Sequence, residues 1–154
     1  MTIPIKLTAK AACRVAGIDR DRFNEHVASG AYPCAPNTVP GRSRLFDPDD
    51  MLALRLFQDL LDDGYNAKRA GAIACTVGNA ARRNPEERVI AYMDPYLGSP
   101  SATTYTRLQE LGNIDDLFTN GSDVRSVTLY RVGKLRELNA HYTEEERSIV
   151  GEDD

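Results

Sequence analysis

The chain has 154 residues, which suits one domain or a small domain with an appendage. Its 42% hydrophobic and 27% charged residues leave ample apolar material for a core and exclude a low-complexity chain. No apolar run approaches the ~20 residues of a membrane span, and the start "MTIPIKLTAK" lacks the apolar stretch of a signal peptide; the expected location is the cytoplasm. The net charge of −4 argues mildly against a nucleic-acid partner, but its distribution argues the other way. Residues 1–46 carry +4, residues 47–66 carry −5, residues 67–93 carry +3 and residues 94–154 carry −6. Salt screens charges beyond ~8 Å, so a negative total leaves room for a basic face.

Thr8 is placed to cap a helix over about 9–16, with Ala9, Ala12 and Cys13 on one face and Gly17 at its end. Asp19 caps a second helix, about 20–28, which Gly30 stops. Two short helices joined by a tight glycine turn have the layout of a helix-turn-helix. The next stretch, "YPCAPNTVPGRSRLF", holds three prolines and a glycine and cannot be helical. Its ends, Ala31-Tyr32 and Arg44-Leu45-Phe46, are expected to pair as a short hairpin. Asp47-Pro48 then opens a third helix, with Asp49 and Asp50 at the positive end of its dipole. Ala53, Leu56, Phe57, Leu60 and Leu61 form its core-facing stripe, and Gly64 closes it. Asn66 caps a fourth helix, about 67–83, with Ala70, Ile73, Ala74 and Val77 inward.

The pattern changes after Asn84-Pro85. "RVIAYM" (88–93) reads as a strand, "DPYLGSPS" as a loop, and "TTYTRLQELG" as a short helix capped by Thr103 or Thr104. "VRSVTLYRV" (124–132) reads as a second strand. Leu135, Leu138 and Tyr142 suit one face of a last helix, though a continued strand is equally open. "TEEERSIVGEDD" reads as a frayed acidic end.

The residues carry little that suggests catalysis. There is no glycine-rich phosphate loop, no HExxH and no GxSxG, and His26 and His141 are far apart; no enzyme activity and no cofactor are expected. The acids between Asp47 and Asp63 read as a capped, solvated helix face rather than a metal site. Cys13, Cys34 and Cys75 show no CxxC spacing and are expected as reduced thiols. Cys13 and Cys75 lie on apolar helix faces, which leaves Cys34 as the reactive one.

DNA binding is the chemistry the residues favour. A recognition helix needs polar and cationic groups near its start, and the second helix has Arg20, Arg22 and Asn24 there, diluted by Asp19 and Asp21. Lys6, Lys10 and Arg14 are placed to reach flanking phosphates, with Lys68 and Arg69 at the start of the fourth helix added to the set. Arg42 and Arg44 would sit on the hairpin as a wing.

In that order the elements resemble the winged helix-turn-helix of MerR-type regulators, over residues 7–77. "LTAKAACRVAGIDRDRF" is similar to that family's first helix, turn and second-helix start, with Phe23 in the usual Leu position. "GRSRLFDPDDMLALRLFQDLLDDGYNAKRAGAI" resembles its wing, third helix and fourth-helix start. The chain departs from the family where an Arg-Tyr-Tyr run is replaced by Asn24, Glu25 and His26, where the wing has an extra residue, and where the long dimerisation helix and metal-binding cysteine loop are missing. It looks like a divergent branch of the kind found among phage repressors, excisionases and small terminase subunits.

The expectation is therefore a mainly α protein with short β elements. Residues 1–84 would form a winged helix-turn-helix of four helices plus a β-hairpin wing; residues 85–154 would form a small α/β segment for oligomerisation or partner binding, with an acidic tail. The expected function is sequence-specific binding of double-stranded DNA by a bacterial or phage transcriptional regulator, acting as a homodimer, with no membrane association. Two alternatives stand: an architectural protein of phage excision or packaging, and a protein-interaction module, using the C-terminal half, that does not bind DNA.

Overall fold

In the computed structural model, residues 6–38, 40–119 and 122–150 are described. Among them the chain is mixed α and β, with seven helices and two small antiparallel sheets. It divides into two compact units, one of Met1–Cys75 with Leu135–Asp154 and one of Thr76–Lys134. The division expected at residue 84/85 is thus drawn differently: the last helix groups with the N-terminal elements.

The first unit starts with β1 (Leu7–Thr8) and α1 (Ala9–Ala16). Thr8 caps α1 through its hydroxyl, which accepts from the Ala11 N–H, and Gly17 ends it in the left-handed conformation at φ 76°. A non-glycine residue would be strained there. Helix α2 (Arg20–Ala28) follows, with the Asp19 carboxylate accepting from the Arg22 N–H at 3.0 Å. Strand β2 (Leu45–Phe46) leads into α3 (Pro48–Asp62), which opens on a reciprocal cap between Asp47 and Asp50 with Pro48 in the first turn. In α4 (Ala67–Arg83) the Asn66 side chain accepts from the Arg69 N–H at 2.9 Å. The four inward residues expected on α4 are all buried, as are Ala53, Leu56, Phe57 and Leu60 on α3, whereas Leu61 is only half-buried. Met51, Leu52 and Leu54 are buried too, so α3 is covered on more sides than one stripe predicts.

The expected hairpin between Ala31-Tyr32 and the Arg44–Phe46 stretch is not formed. Leu45 and Phe46 pair instead with Thr8 and Leu7. Tyr32 is held at the end of α2, its N–H donating to the His26 carbonyl and its ring 5.5 Å from Phe23 and 4.8 Å from Phe57. Phe46 completes this aromatic core at 5.8 Å from Phe23. The side chain at position 32 is worth more in the core than in a ladder that Pro33 could not continue.

The cysteines also correct an expectation. Cys34 and Cys75 form a disulfide, and only Cys13, buried, is a free thiol. The pair was hidden because its members stand 41 residues apart and only the fold brings them together.

The closing helix α7 (Val132–Val150) settles the open alternative for residues 135–142 as helix and takes in residues 143–150 of the stretch expected to fray, whose last four residues lie outside the described ones. Its charged residues are used: Glu146 pairs with Arg14, and Arg136 lies 4.0 Å from Asp49 of α3. Arg55 on α3 stacks over the Tyr142 ring at 4.9 Å and donates to the Val15 carbonyl at 3.2 Å. Asn139 is buried, with neither amide atom hydrogen-bonded within the described residues.

The second unit is built on β3 (Ile90–Pro95), flanked by β4 (Ser101–Thr104) and β5 (Val124–Tyr130) in the order β4-β3-β5, all antiparallel. Ile90 lies opposite both Thr104 and Tyr130, and a bulge at Asp94/Pro95 shifts the register with β5. Thr104, one of the two expected caps, starts α5 (Tyr105–Glu110). Helix α6 (Ile114–Thr119), of fewer than two turns, was not expected, although Asn113 before it and Asp115 and Asp116 in its first turn are a local start signal. Ile90, Ala91, Tyr92, Leu108 and Val132 are buried in this unit. The tip between β3 and β4 is pinned by Asp123, whose carbonyl and carboxylate accept from the Tyr96 and Leu97 N–H groups at 2.9 Å each; both side chains project at 71% and 80% exposure.

Candidate nucleic-acid interface

All ten cationic or polar residues expected to contact DNA fall in the first unit, Lys6 among them as an exposed side chain. Lys10, Arg20, Arg22, Asn24, Arg42, Lys68 and Arg69 are exposed. Arg14 and Arg44 are engaged by the protein itself. Arg14 is in the ion pair with Glu146, and Arg44 is half-buried with its guanidinium donating to the Pro36 carbonyl. Arg44 therefore braces its own loop, while Arg42, two residues earlier, is turned to solvent.

The loop bearing these arginines is fixed to the start of α1 at its far end. The Ala9 N–H, first in α1, donates to the Ser43 hydroxyl at 3.3 Å, and the short β1–β2 ladder follows at once. One otherwise unpaired donor at the start of α1 is satisfied, and Arg42 is set beside that helix start.

Helix α2 presents its polar groups less simply than the sequence implies. Phe23 is its single buried residue. At 3.6 residues per turn, Asp21 and Glu25 stand opposite Phe23, in the middle of the exposed side, and Arg22 and Asn24 are separated by about 160°. Arg20 and Asn24 share one flank, and Arg22 and His26 the other. The outward centre is thus acidic and the cations lie on its margins, an arrangement better suited to phosphates than to a groove floor.

On the Arg22 flank a recess of about 460 Å³ opens between the Gly17–Asp19 turn, His26, Gln58 and Asp62. The His26 ring stands edge-on to Phe57 at 5.2 Å, and the Gln58 amide donates to Asp62 at 2.9 Å. With Asp19 and Asp62 lining it together with Arg22, the recess has no net preference for an anion. Among the described residues, no cluster of three or more His, Cys, Asp or Glu has metal-binding geometry, and no helix is long and apolar enough to cross a membrane.

The sequence missed the Glu146 partner of Arg14, which lies 132 residues away, and the Pro36 partner of Arg44. No local pattern announces either. The opposed placement of Arg22 and Asn24 was available from helical periodicity alone. No protein-family model matches the chain, and no curated protein matches it.

Proposed function

We propose that this chain is a sequence-specific double-stranded DNA-binding regulator of bacterial or phage type, acting in the cytoplasm as a homodimer, with no catalytic role. In this reading the first unit is a MerR-like winged helix-turn-helix. Helix α2 approaches the major groove, its Arg20–Asn24 and Arg22–His26 flanks meeting the two phosphate walls, and the Arg42 loop stands in for the wing. The observation that supports the reading is the Ala9–Ser43 hydrogen bond with the β1–β2 ladder, which fastens an arginine-bearing loop to the start of α1, the helix that precedes α2. A dimer supplies the affinity that one unit with so few cations to offer lacks.

The test is fluorescence anisotropy on mixed-sequence duplex DNA across a salt series, comparing wild type with Arg20→Ala/Arg42→Ala. Each lost phosphate contact should make the log–log salt slope shallower by about 0.9, so the double variant should lose up to ~2. Arg44 is left in place because its removal would also reshape the loop. No wild-type affinity even at ~50 mM salt would overturn the reading.

A second reading is favoured by one feature. The pinned tip with Tyr96 and Leu97 exposed has the character of a protein-binding anchor, which favours a protein partner for the second unit. A Tyr96→Ala/Leu97→Ala variant that binds DNA as wild type does but loses a co-purifying protein would support it, and retention of that protein would remove it.

A further inference from the structure

The disulfide lies in the loop that carries the arginines. After α2, the chain is anchored by the buried Tyr32, and the Ala31 carbonyl lies directly against the backbone of α4 at Gly71. A Cβ at position 71 would come within 1.7 Å of that oxygen, so the approach exists only because Gly71 has no side chain. One turn further along the same face of α4, Cys75 bonds to Cys34, with the Cα atoms 5.6 Å apart. Beyond Cys34 the loop is stayed from within: the Pro36 carbonyl accepts from Arg44 of the same loop, and Ser43 and β2 fix the other end.

We propose that the Cys34–Cys75 pair is a reversible redox site, reduced by dithiol donors, whose oxidised form clamps the Arg42–Arg44 loop to α4. The proposal rests on the cytoplasmic location in the reading above, because disulfides there are characteristically transient and redox-responsive rather than structural. The pair is also built for asymmetric attack. Cys34 is half-buried, whereas Cys75 is only 5% exposed, so an incoming thiolate reaches the Cys34 sulfur. The Cys34–Cys75 bond breaks, a mixed disulfide forms on Cys34, and Cys75 leaves as a thiolate that takes up a proton. The second thiol of the donor then displaces Cys34, which is protonated in turn. The donor ends as a cyclic disulfide, having passed two electrons and two protons to the pair. Cys13 stays out of the exchange: it is buried, and that burial pushes its thiol up to about 11. Reduction leaves Tyr32 and β2 in place and frees the chain between them.

Two measurements on the full-length protein test this, neither of which depends on DNA binding. Alkylation after unfolding, read by mass, should label one cysteine without reductant and all three after dithiol treatment. Limited trypsin digestion should cut after Arg42 roughly tenfold faster in protein that has been reduced and freed of dithiol than in oxidised protein. A Cys34→Ser/Cys75→Ser variant should be cut at the fast rate whatever its redox history. Three labelled cysteines without reductant, or equal cutting of oxidised and reduced wild type, would overturn the proposal.

Discussion

Helices α1 and α2 have eight and nine residues and flank the same three-residue turn, yet α1 buries six side chains and α2 buries one. Helix α1 is scaffold: its small residues let it lie close to its neighbours, and it would be difficult to remove without unfolding the unit. Helix α2 is display. It is held by Phe23, its Asp19 cap and the chain on either side, and nearly all its remaining surface is left to the outside. A helix so sparsely buried persists because it is anchored at one point and capped, and its exposed residues are free to be chosen for something other than stability.

The contrast breaks most readily at the anchor of α2. Phe23→Ala should cost about 3–5 kcal/mol in urea unfolding, since it removes from the aromatic core the one buried side chain that α2 contributes. A loss below about 1 kcal/mol would mean that α2 is held elsewhere. Alkaline pH probes the buried helix instead. Cys13 has its folded pKa raised from 9.0 to about 11 by burial, so its contribution is complete below pH 9 and lost as pH rises to about 11. The loss has a ceiling of about 2–3 kcal/mol, and Cys13→Ala should fall less steeply over that window than wild type. Tyr32, likewise pushed up chiefly by burial, is common to both proteins, and that burial effect cancels in the comparison.

Smaller effects sharpen the contrast. Asp19→Ala and Thr8→Ala each remove a cap worth about 1 kcal/mol. Only the first should loosen α2, seen as faster exchange of its first-turn amides. Least of all, Asp21→Asn/Glu25→Gln should change stability by less than about 0.5 kcal/mol. Under the DNA reading the same pair should raise duplex affinity severalfold at low salt, because two carboxylates leave the outward face; unchanged affinity would place that face away from DNA.

The parts legible in the sequence are those written locally. Thr8, Asp19, Asp47 and Asn66 announce four helix starts by capping chemistry, and Gly17 and Gly64 mark stops, so α1 to α4 follow from neighbours a few residues apart. What failed depends on distant partners. Strands of two residues carry no alternation, and Leu45 could not reveal that it pairs with Thr8 rather than with the Tyr32 region. The end of α7 read as frayed because Glu144, Glu145 and Glu146 look like repulsion in one dimension. In the helix, Glu145 lies 3.1 Å from His141, Glu144 lies 3.6 Å from Arg147, and Glu146 reaches Arg14. For the candidate interface, exposure of Lys10, Arg20, Arg42 and Lys68 was foreseeable from composition. The engagement of Arg14 and Arg44 was not, since each is decided by a group the local pattern leaves out.

The contact at Gly71 also makes a search tool. Wherever a loop is laid carbonyl-first on a helix and bolted one turn later, the helix must carry Gly-x-x-x-Cys and the loop must place its cysteine three residues after the contact, as in Ala-Tyr-Pro-Cys. That paired spacing is strict at a few positions and indifferent elsewhere. Distant kin whose overall similarity has faded could be recognised by it, and could then supply the alignment in which the exposed positions of α2 are compared.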